Sequence, residues 1–172
     1  VMASCHTPVT PGYYIYPSTD KIKRLRKNIL ELVLSEYPPE RLTPEPGMLP
    51  TEFQSVVAAA GISEVRYRRK IAEHETDKTR PYVWSDLTEC IKCYRCVRAC
   101  DELQAEHVLG IMGRGSDSRI IKGFDTTFRD SPCVSCGACV QTCPTNALHD
   151  RYYAKTLKAD RIVRTTCTYC GV

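Results

Sequence analysis

The sequence predicts an α+β protein centred on a unit, from about Pro81 to His149, that is built as an internal repeat. Three observations predict it. Two cysteine runs of identical spacing open at Cys90 and Cys133. Between them, His107–Met112 and Arg119–Phe124 read as short strands around a Gly113–Ser118 turn. Ahead of both, Thr19–Glu36 carries a helical period.

Taken in order, residues 5–18 hold Pro8, Pro11, Gly12 and Pro17 among Tyr13, Tyr14 and Tyr16, which is turn and short-strand material. In Thr19–Glu36, Ile22, Leu25, Ile29, Leu32 and Val33 form one apolar stripe, ringed by Lys21, Lys23, Arg24, Arg26 and Lys27. The expectation is a helix packed on a domain with its basic face in water. Prolines 38, 39, 44, 46 and 50 with Gly47 make 37–50 read as a linker. A short helix follows, with Thr51 as N-cap, Gln54 completing a capping box, and Gly61 ending the apolar run Val56–Ala60. Arg66–Lys70 is a basic patch read as a solvated or subunit-facing surface, because no nucleic-acid-binding fold accompanies it. Gly110, Gly113 and Gly115 lack the strand and helix of a phosphate loop and are turn glycines.

The chain has 172 residues, a net charge of +4 and a mean hydropathy of −0.32. No run of eighteen apolar residues exists, so no membrane-spanning helix is expected. Eleven cysteines is an odd and heavily clustered number, which argues for a reducing compartment rather than a disulfide framework.

The runs are Cys90-x2-Cys93-x2-Cys96-x3-Cys100 and Cys133-x2-Cys136-x2-Cys139-x3-Cys143, the second followed by Pro144. This is the bacterial two-cluster ferredoxin spacing, and the fold class sharpens to a ferredoxin-like 2[4Fe-4S] domain. Three cysteines at i, i+3 and i+6 let one winding loop offer three thiolates to a cubane. The fourth lies a helical turn beyond and points at the neighbouring cube. Cys90, Cys93, Cys96 and Cys143 are therefore expected to hold one [4Fe-4S] cluster, and Cys133, Cys136, Cys139 and Cys100 the other. Gly137 and Ala138 are small enough to let backbone amides approach the sulfurs. Asp101 replaces the proline after the first run, so that segment can continue helically through Leu103 and Gln104. Lys92, Arg95 and Arg98 would offset the negative charge of a thiolate-bound cluster and raise its potential.

The rival from another class is a zinc-stabilised interaction module using Arg66–Lys70. Zinc takes four ligands per site and leaves the repeated cysteines at +6 and +10 unexplained. No catalytic acid, base or nucleophile is identified, since His6, His74, His107 and His149 are scattered. Cys5 alone reads as a small buried hydrophobe. Cys167 and Cys170 form a bare C-x2-C compatible with zinc, redox or half a cluster.

Four stretches carry a wider resemblance: Ser4–Gly12 with the basic helix, Cys90–Cys100 (CIKCYRCVRAC), Ser131–Leu148 (SPCVSCGACVQTCPTNAL) and Arg164–Val172 (RTTCTYCGV). Together they resemble the catalytic (alpha) subunit family of molybdenum- or tungsten-dependent formate dehydrogenases, kin of the large iron–sulfur subunit of NADH dehydrogenase. The resemblance implies that 1–36 is the end of a [2Fe-2S] domain plus the basic helix, and 37–80 a proline-rich linker with a short helix. It implies further that 81–155 is the two-cluster domain and 156–172 the start of a molybdopterin-binding domain. Cys5 would be the last ligand of a [2Fe-2S] cluster, and Cys167 and Cys170 the first two of a further [4Fe-4S] cluster. Relatives often carry an extra cluster held by one His and three Cys after the basic helix. Tyr37 and Arg41 stand where its His and first Cys would be.

The resemblance thus implies a fragment of a cytoplasmic oxidoreductase that relays electrons toward a Mo- or W-bis-pterin site lying outside it. Its partners would be the rest of the parent catalytic subunit and an NAD(P)H- or ferredoxin-linked electron-transfer subunit, with no nucleic acid and no membrane insertion. An iron-only hydrogenase or NADH dehydrogenase region is the alternative within electron transfer. Val1 is not an initiator and the chain stops inside a ligand-like motif, which reads as a segment of a longer protein.

Overall fold

The computed structural model describes residues 2–4, 6–46, 48–62, 64–67, 71, 74, 76–151, 161 and 163–166. Cys5, Cys167, Cys170 and Arg68–Lys70 lie outside these residues.

The first helix, α1 (Asp20–Leu34), starts where Thr19 accepts the Ile22 N–H on its hydroxyl, with Asp20 on the positive end of the helix dipole. The expected stripe is not its buried face. Ile29 and Leu32 are 60% and 58% exposed, while Leu34 and Glu31 are buried and Leu30 and Val33 are half-buried. Only the last turns meet the body, and the contact is rotated onto the Leu30–Glu31–Leu34 ridge. The buried Glu31 carboxylate is matched by Arg66, whose guanidinium also donates to Asn28.

The proline-rich stretch is ordered by packing. Tyr37 and Pro38 are buried, a 3-10 turn covers Pro39–Leu42, and the Tyr37 ring meets Phe53 edge-on at 5.1 Å. Phe53 belongs to α2 (Glu52–Ala59), whose capping box forms as expected. Gln54 N–H donates to Thr51 Oγ1 at 3.2 Å, and Thr51 N–H to Gln54 Oε1 at 2.8 Å. Leu34, Tyr37, Phe53 and Val57 make a small core that also receives Ile91.

Two antiparallel ribbons frame the larger core. β1 (Val83–Ser85) pairs with β4 (Leu148–Asp150), and β2 (Leu109–Met112) pairs with β3 (Arg119–Lys122). The middle hairpin was expected two residues longer at one end of each strand. Positive φ at His107 (51°) and Gly123 (53°) breaks the extended run and trims it. β1 and β4 were not expected, because three residues are too few to show alternation. Val83, Val108, Leu109, Ile120, Phe128 and Leu148 pack around Cys96, Cys100 and Cys139, so cysteines occupy the middle of the core.

Asp77 ties this core to the segment before it. Its backbone bridges Ser85, and its carboxylate accepts from Lys122 Nζ at 2.7 Å, Phe128 N–H at 2.8 Å, and the amide and hydroxyl of Thr79. Burial pushes this carboxyl up, but the four donors outweigh burial and bring it down to about 2. The depressed value means stabilisation that is complete above the unfolded pKa, near 3.9, and lost as pH falls toward 2. It is worth about 2 kcal/mol. Asp77→Asn should lower the thermal midpoint at pH 7 and flatten the fall in stability between about pH 4 and pH 2, read by circular dichroism melts across that range.

Candidate metal centre

Both cysteine loops are wound by the same backbone recipe. In the first, Lys92 (φ 55°) and Tyr94 (φ 60°) adopt the left-handed region; in the second, Ser135 (φ 58°) and Gly137 (φ 78°) do so at the same offsets. The Lys92 N–H reaches Cys90 Sγ and the Ser135 N–H reaches Cys133 Sγ, each at 3.4 Å. Tyr94 and Gly137 then cap the short helices α3 (Arg95–Arg98) and α4 (Ala138–Thr142). Three of these four left-handed residues have side chains, at a cost of roughly 1–2 kcal/mol each. Their neighbours hold two of them in place: Lys92 Nζ binds Glu36 and the Ser116 carbonyl, and the Tyr94 hydroxyl donates to Ser118 Oγ at 3.1 Å.

The winding gathers the thiols around two cavities of similar size. Cys90, Cys93, Cys96 and Cys143 line one, walled by Leu87, Ile91, Ile120 and Leu148. Cys100, Cys133, Cys136 and Cys139 line the other, walled by Val83, Val108, Leu109 and Phe128. Each run thus gives three cysteines to one cavity and its fourth to the other.

The two fourth cysteines get there differently. After α3 the chain widens into a π turn over Ala99–Leu103, closed by Gln104 N–H to Ala99 O, and Cys100 Sγ accepts from Val108 N–H at 3.4 Å. After α4 the backbone turns extended at Cys143 (φ −70°, ψ 118°), as a residue before proline must, and Thr145 Oγ1 lies 3.6 Å from its sulfur.

Burial pushes the Cys96 and Cys139 thiols up to about 12, and their neighbours reinforce this: Cys90 and Cys143 around Cys96, Cys133 and Cys136 around Cys139. Burial raises Cys90 as well. Four thiolates in so apolar a space need compensating metal charge, and their protons must leave when metal enters. Among the described residues no three of His, Cys, Asp and Glu converge on a point that could hold one metal ion. A mononuclear zinc site would need that convergence, with sulfurs about 2.3 Å from the metal. An all-sulfur donor set spread around an apolar cavity fits an iron–sulfur cluster better.

The basic residues among the first run do not act as free charges. Arg95 makes a two-pronged pair with Glu52, Arg98 pairs with Glu102, and Lys92 pairs with Glu36. Each of the three cations expected to offset cluster charge thus stands beside a carboxylate. Arg80, which drew no attention in the sequence, donates to the carbonyls of Phe128 (3.0 Å) and Cys133 (2.6 Å) and fixes the start of the second loop.

Tyr37 and Arg41 both serve Glu89, the residue before Cys90. Tyr37 OH donates to its carboxylate at 3.5 Å, and Arg41 lies 3.6 Å away. Burial raises the Glu89 carboxyl, opposed by Arg41, and burial raises the Tyr37 phenol. Among the histidines, His107 pairs with Asp101, and His149 contacts the Asn146 carbonyl and stacks edge-on against Trp84.

The 4Fe-4S dicluster domain model matches residues 89–147, the span of both loops and both cavities. This segment is a 4Fe-4S dicluster domain. The chain is 31% identical to the NADP-reducing hydrogenase subunit HndD of Solidesulfovibrio fructosivorans, over 87% of this chain and 26% of that protein. It is 29% identical to the G 2 subunit of NADH-quinone oxidoreductase from Rhizobium meliloti, over 98% of this chain and 20% of the relative. A protein named as a formate dehydrogenase in Staphylococcus haemolyticus is 28% identical over 84% of this chain and 15% of its own length. The NAD+-reducing [NiFe]-hydrogenase crystal structure, in its H2-reduced state, superposes with a TM-score of 0.71 at 25% identity, over 87% of this chain and 64% of that one. Homologues of the chain are thus the G-type component of NADH-quinone oxidoreductase, formate dehydrogenase and hydrogenase subunits, and the dicluster domain fits an iron–sulfur region of that family. The chain spans 15–26% of the length of the three curated relatives. No helix among the described residues is long and apolar enough to cross a membrane.

The left-handed pairs Lys92/Tyr94 and Ser135/Gly137 were not legible in advance, except that the small Gly137 marks one of them. A β-carbon at Gly137 would meet no protein atom within 4 Å, but the residue lines the second cavity. Gly137→Ala should cost at least about 1 kcal/mol, and Ser135→Gly should be neutral or stabilising, in anaerobic thermal unfolding of the loaded protein.

Proposed function

We propose that the chain relays electrons through two [4Fe-4S] clusters, one held by Cys90, Cys93, Cys96 and Cys143 and the other by Cys133, Cys136, Cys139 and Cys100. The observation that carries this is the exchange of fourth cysteines between the two cavities. Bound clusters supply one-electron redox chemistry. The protein keeps water from Cys96, Cys100 and Cys139, leaves Cys93 and Cys136 exposed at the outer edges, and aims amide N–H groups at Cys90, Cys133 and Cys100. The exposed edges on both cavities suit a path that enters by one cluster and leaves by the other.

The relay is best read as part of a formate dehydrogenase-like molybdopterin oxidoreductase. Cys167-Thr168-Tyr169-Cys170-Gly171-Val172 supports this reading as the opening of a further [4Fe-4S] motif before a Mo- or W-bis-pterin domain, with Cys5 closing a [2Fe-2S] site. On this reading, 1–36, 37–80, 81–155 and 156–172 are the successive domain segments. The partners are the remainder of the catalytic subunit and an NAD(P)H- or ferredoxin-linked subunit, in the cytoplasm. A hydrogenase setting is the second reading, favoured by the 31% identity to HndD. Formate-dependent against hydrogen-dependent viologen reduction by the full-length parent separates the two.

The chain purified without oxygen should be brown and contain iron and acid-labile sulfide in equal amounts; zinc with neither would refute the relay. Cys100→Ser should perturb the cluster of Cys133, Cys136 and Cys139 in electron paramagnetic resonance. A change confined to the cluster of Cys90, Cys93 and Cys96 would refute the crossed ligation.

A further inference from the structure

The Thr145 hydroxyl is buried in the wall of the first cavity, with the residue 4% exposed. Its oxygen accepts the Ala147 N–H at 3.1 Å and lies 3.6 Å from Cys143 Sγ. A hydroxyl has one hydrogen to give. With the oxygen already accepting from Ala147, the remaining partner for that hydrogen among the described residues is the sulfur. As a free thiol, Cys143 could be donor or acceptor in this contact. As a thiolate ligand it has no proton and can only accept, so ligation fixes the direction of the bond. The extended turn at Cys143 and Pro144 is what brings a side chain two residues later back over the sulfur.

The second cavity has no counterpart. Its fourth cysteine, Cys100, takes its hydrogen bond from a backbone amide, Val108 N–H. The residue two beyond Cys100 is Glu102, which is exposed and paired with Arg98. One fourth ligand is thus served by a side chain that substitution can remove, and the other by the main chain.

We propose that Thr145 sets the reduction potential of the first cluster through an O–H···S bond to Cys143, making the two clusters unequal. A donor to a ligand sulfur draws off negative charge and favours the reduced state, so its loss shifts the potential to more negative values. The inference rests on the two-cluster reading above.

The test is a redox titration followed by electron paramagnetic resonance on the full chain, loaded without oxygen. In Thr145→Val one midpoint should move negative and the other stay, and the moving one should be the signal that Cys143→Ser alters. Thr145→Ser should keep the unmutated value. Two unmoved midpoints in Thr145→Val would overturn the role of Thr145 alone, whereas absence of any iron–sulfur signal in the unmutated chain would overturn the relay as well. Should Thr145→Val not load, electron–nuclear double resonance on the 15N-labelled unmutated chain decides. One exchangeable proton coupled to the cluster but not attached to nitrogen is the expected result, and its absence overturns the assignment.

Discussion

The rest of the molecule depends on one constraint: eight sulfurs must be kept together around two apolar cavities, with Cys96, Cys100 and Cys139 buried. Burial of Cys96 and Cys139 pushes both thiols to about 12. Burial thus favours the neutral form of these two inner thiols, and metal entering the cavity would exchange their protons for iron. Sequence, winding and packing all serve that exchange. The left-handed turns set the sulfurs on the cavity walls, and the two ribbons hold the loops that carry them. The aliphatic and aromatic side chains of the larger core exclude water from Cys96, Cys100 and Cys139.

The symmetry is in the backbone, and the asymmetry is in the side chains. Lys92 and Ser135 take the same backbone conformation with the same N–H to sulfur distance, although one is a long cation and the other a small hydroxyl. Around that common frame the halves diverge. The first has Lys92 tied to Glu36 and Ser116, Tyr94 tied to Ser118, and Arg95 tied to Glu52. The second has Gly137 and depends on Arg80 gripping the Phe128 and Cys133 carbonyls. Surface pairs such as Arg95–Glu52 contribute at most about 1 kcal/mol. The ordering of the loops therefore comes mainly from the core and from hydrogen bonds to the main chain.

Much of the centre was legible in the sequence because cysteine spacing is a strong local signal: the two runs, the three-plus-one grouping of their cysteines around the cavities and the capping box at Thr51 and Gln54 follow from short spacings. What stayed illegible depends on distant partners. Glu31 sits on the buried face of α1 because Arg66 meets it, so the apolar stripe alone misidentifies the packed side. Tyr37 is buried because Phe53 and Glu89 lie against it, which a count of prolines cannot reveal. The β1–β4 ribbon joins residues more than sixty positions apart through strands of three residues. The Thr145 contact becomes visible only once Pro144 has turned the chain.

The start of α2 touches both halves of the repeat. Phe53 N–H donates to the Pro144 carbonyl at 2.9 Å, and Glu52 holds Arg95. Pro144 follows the second run and Arg95 lies inside the first, so this short helix is a staple across the mouth of the first cavity. In modular terms, a segment cut at the first cysteine run would keep all eight cysteines and lose the clasp that joins its two halves. Keeping that clasp means beginning before α2, some forty residues upstream of Cys90.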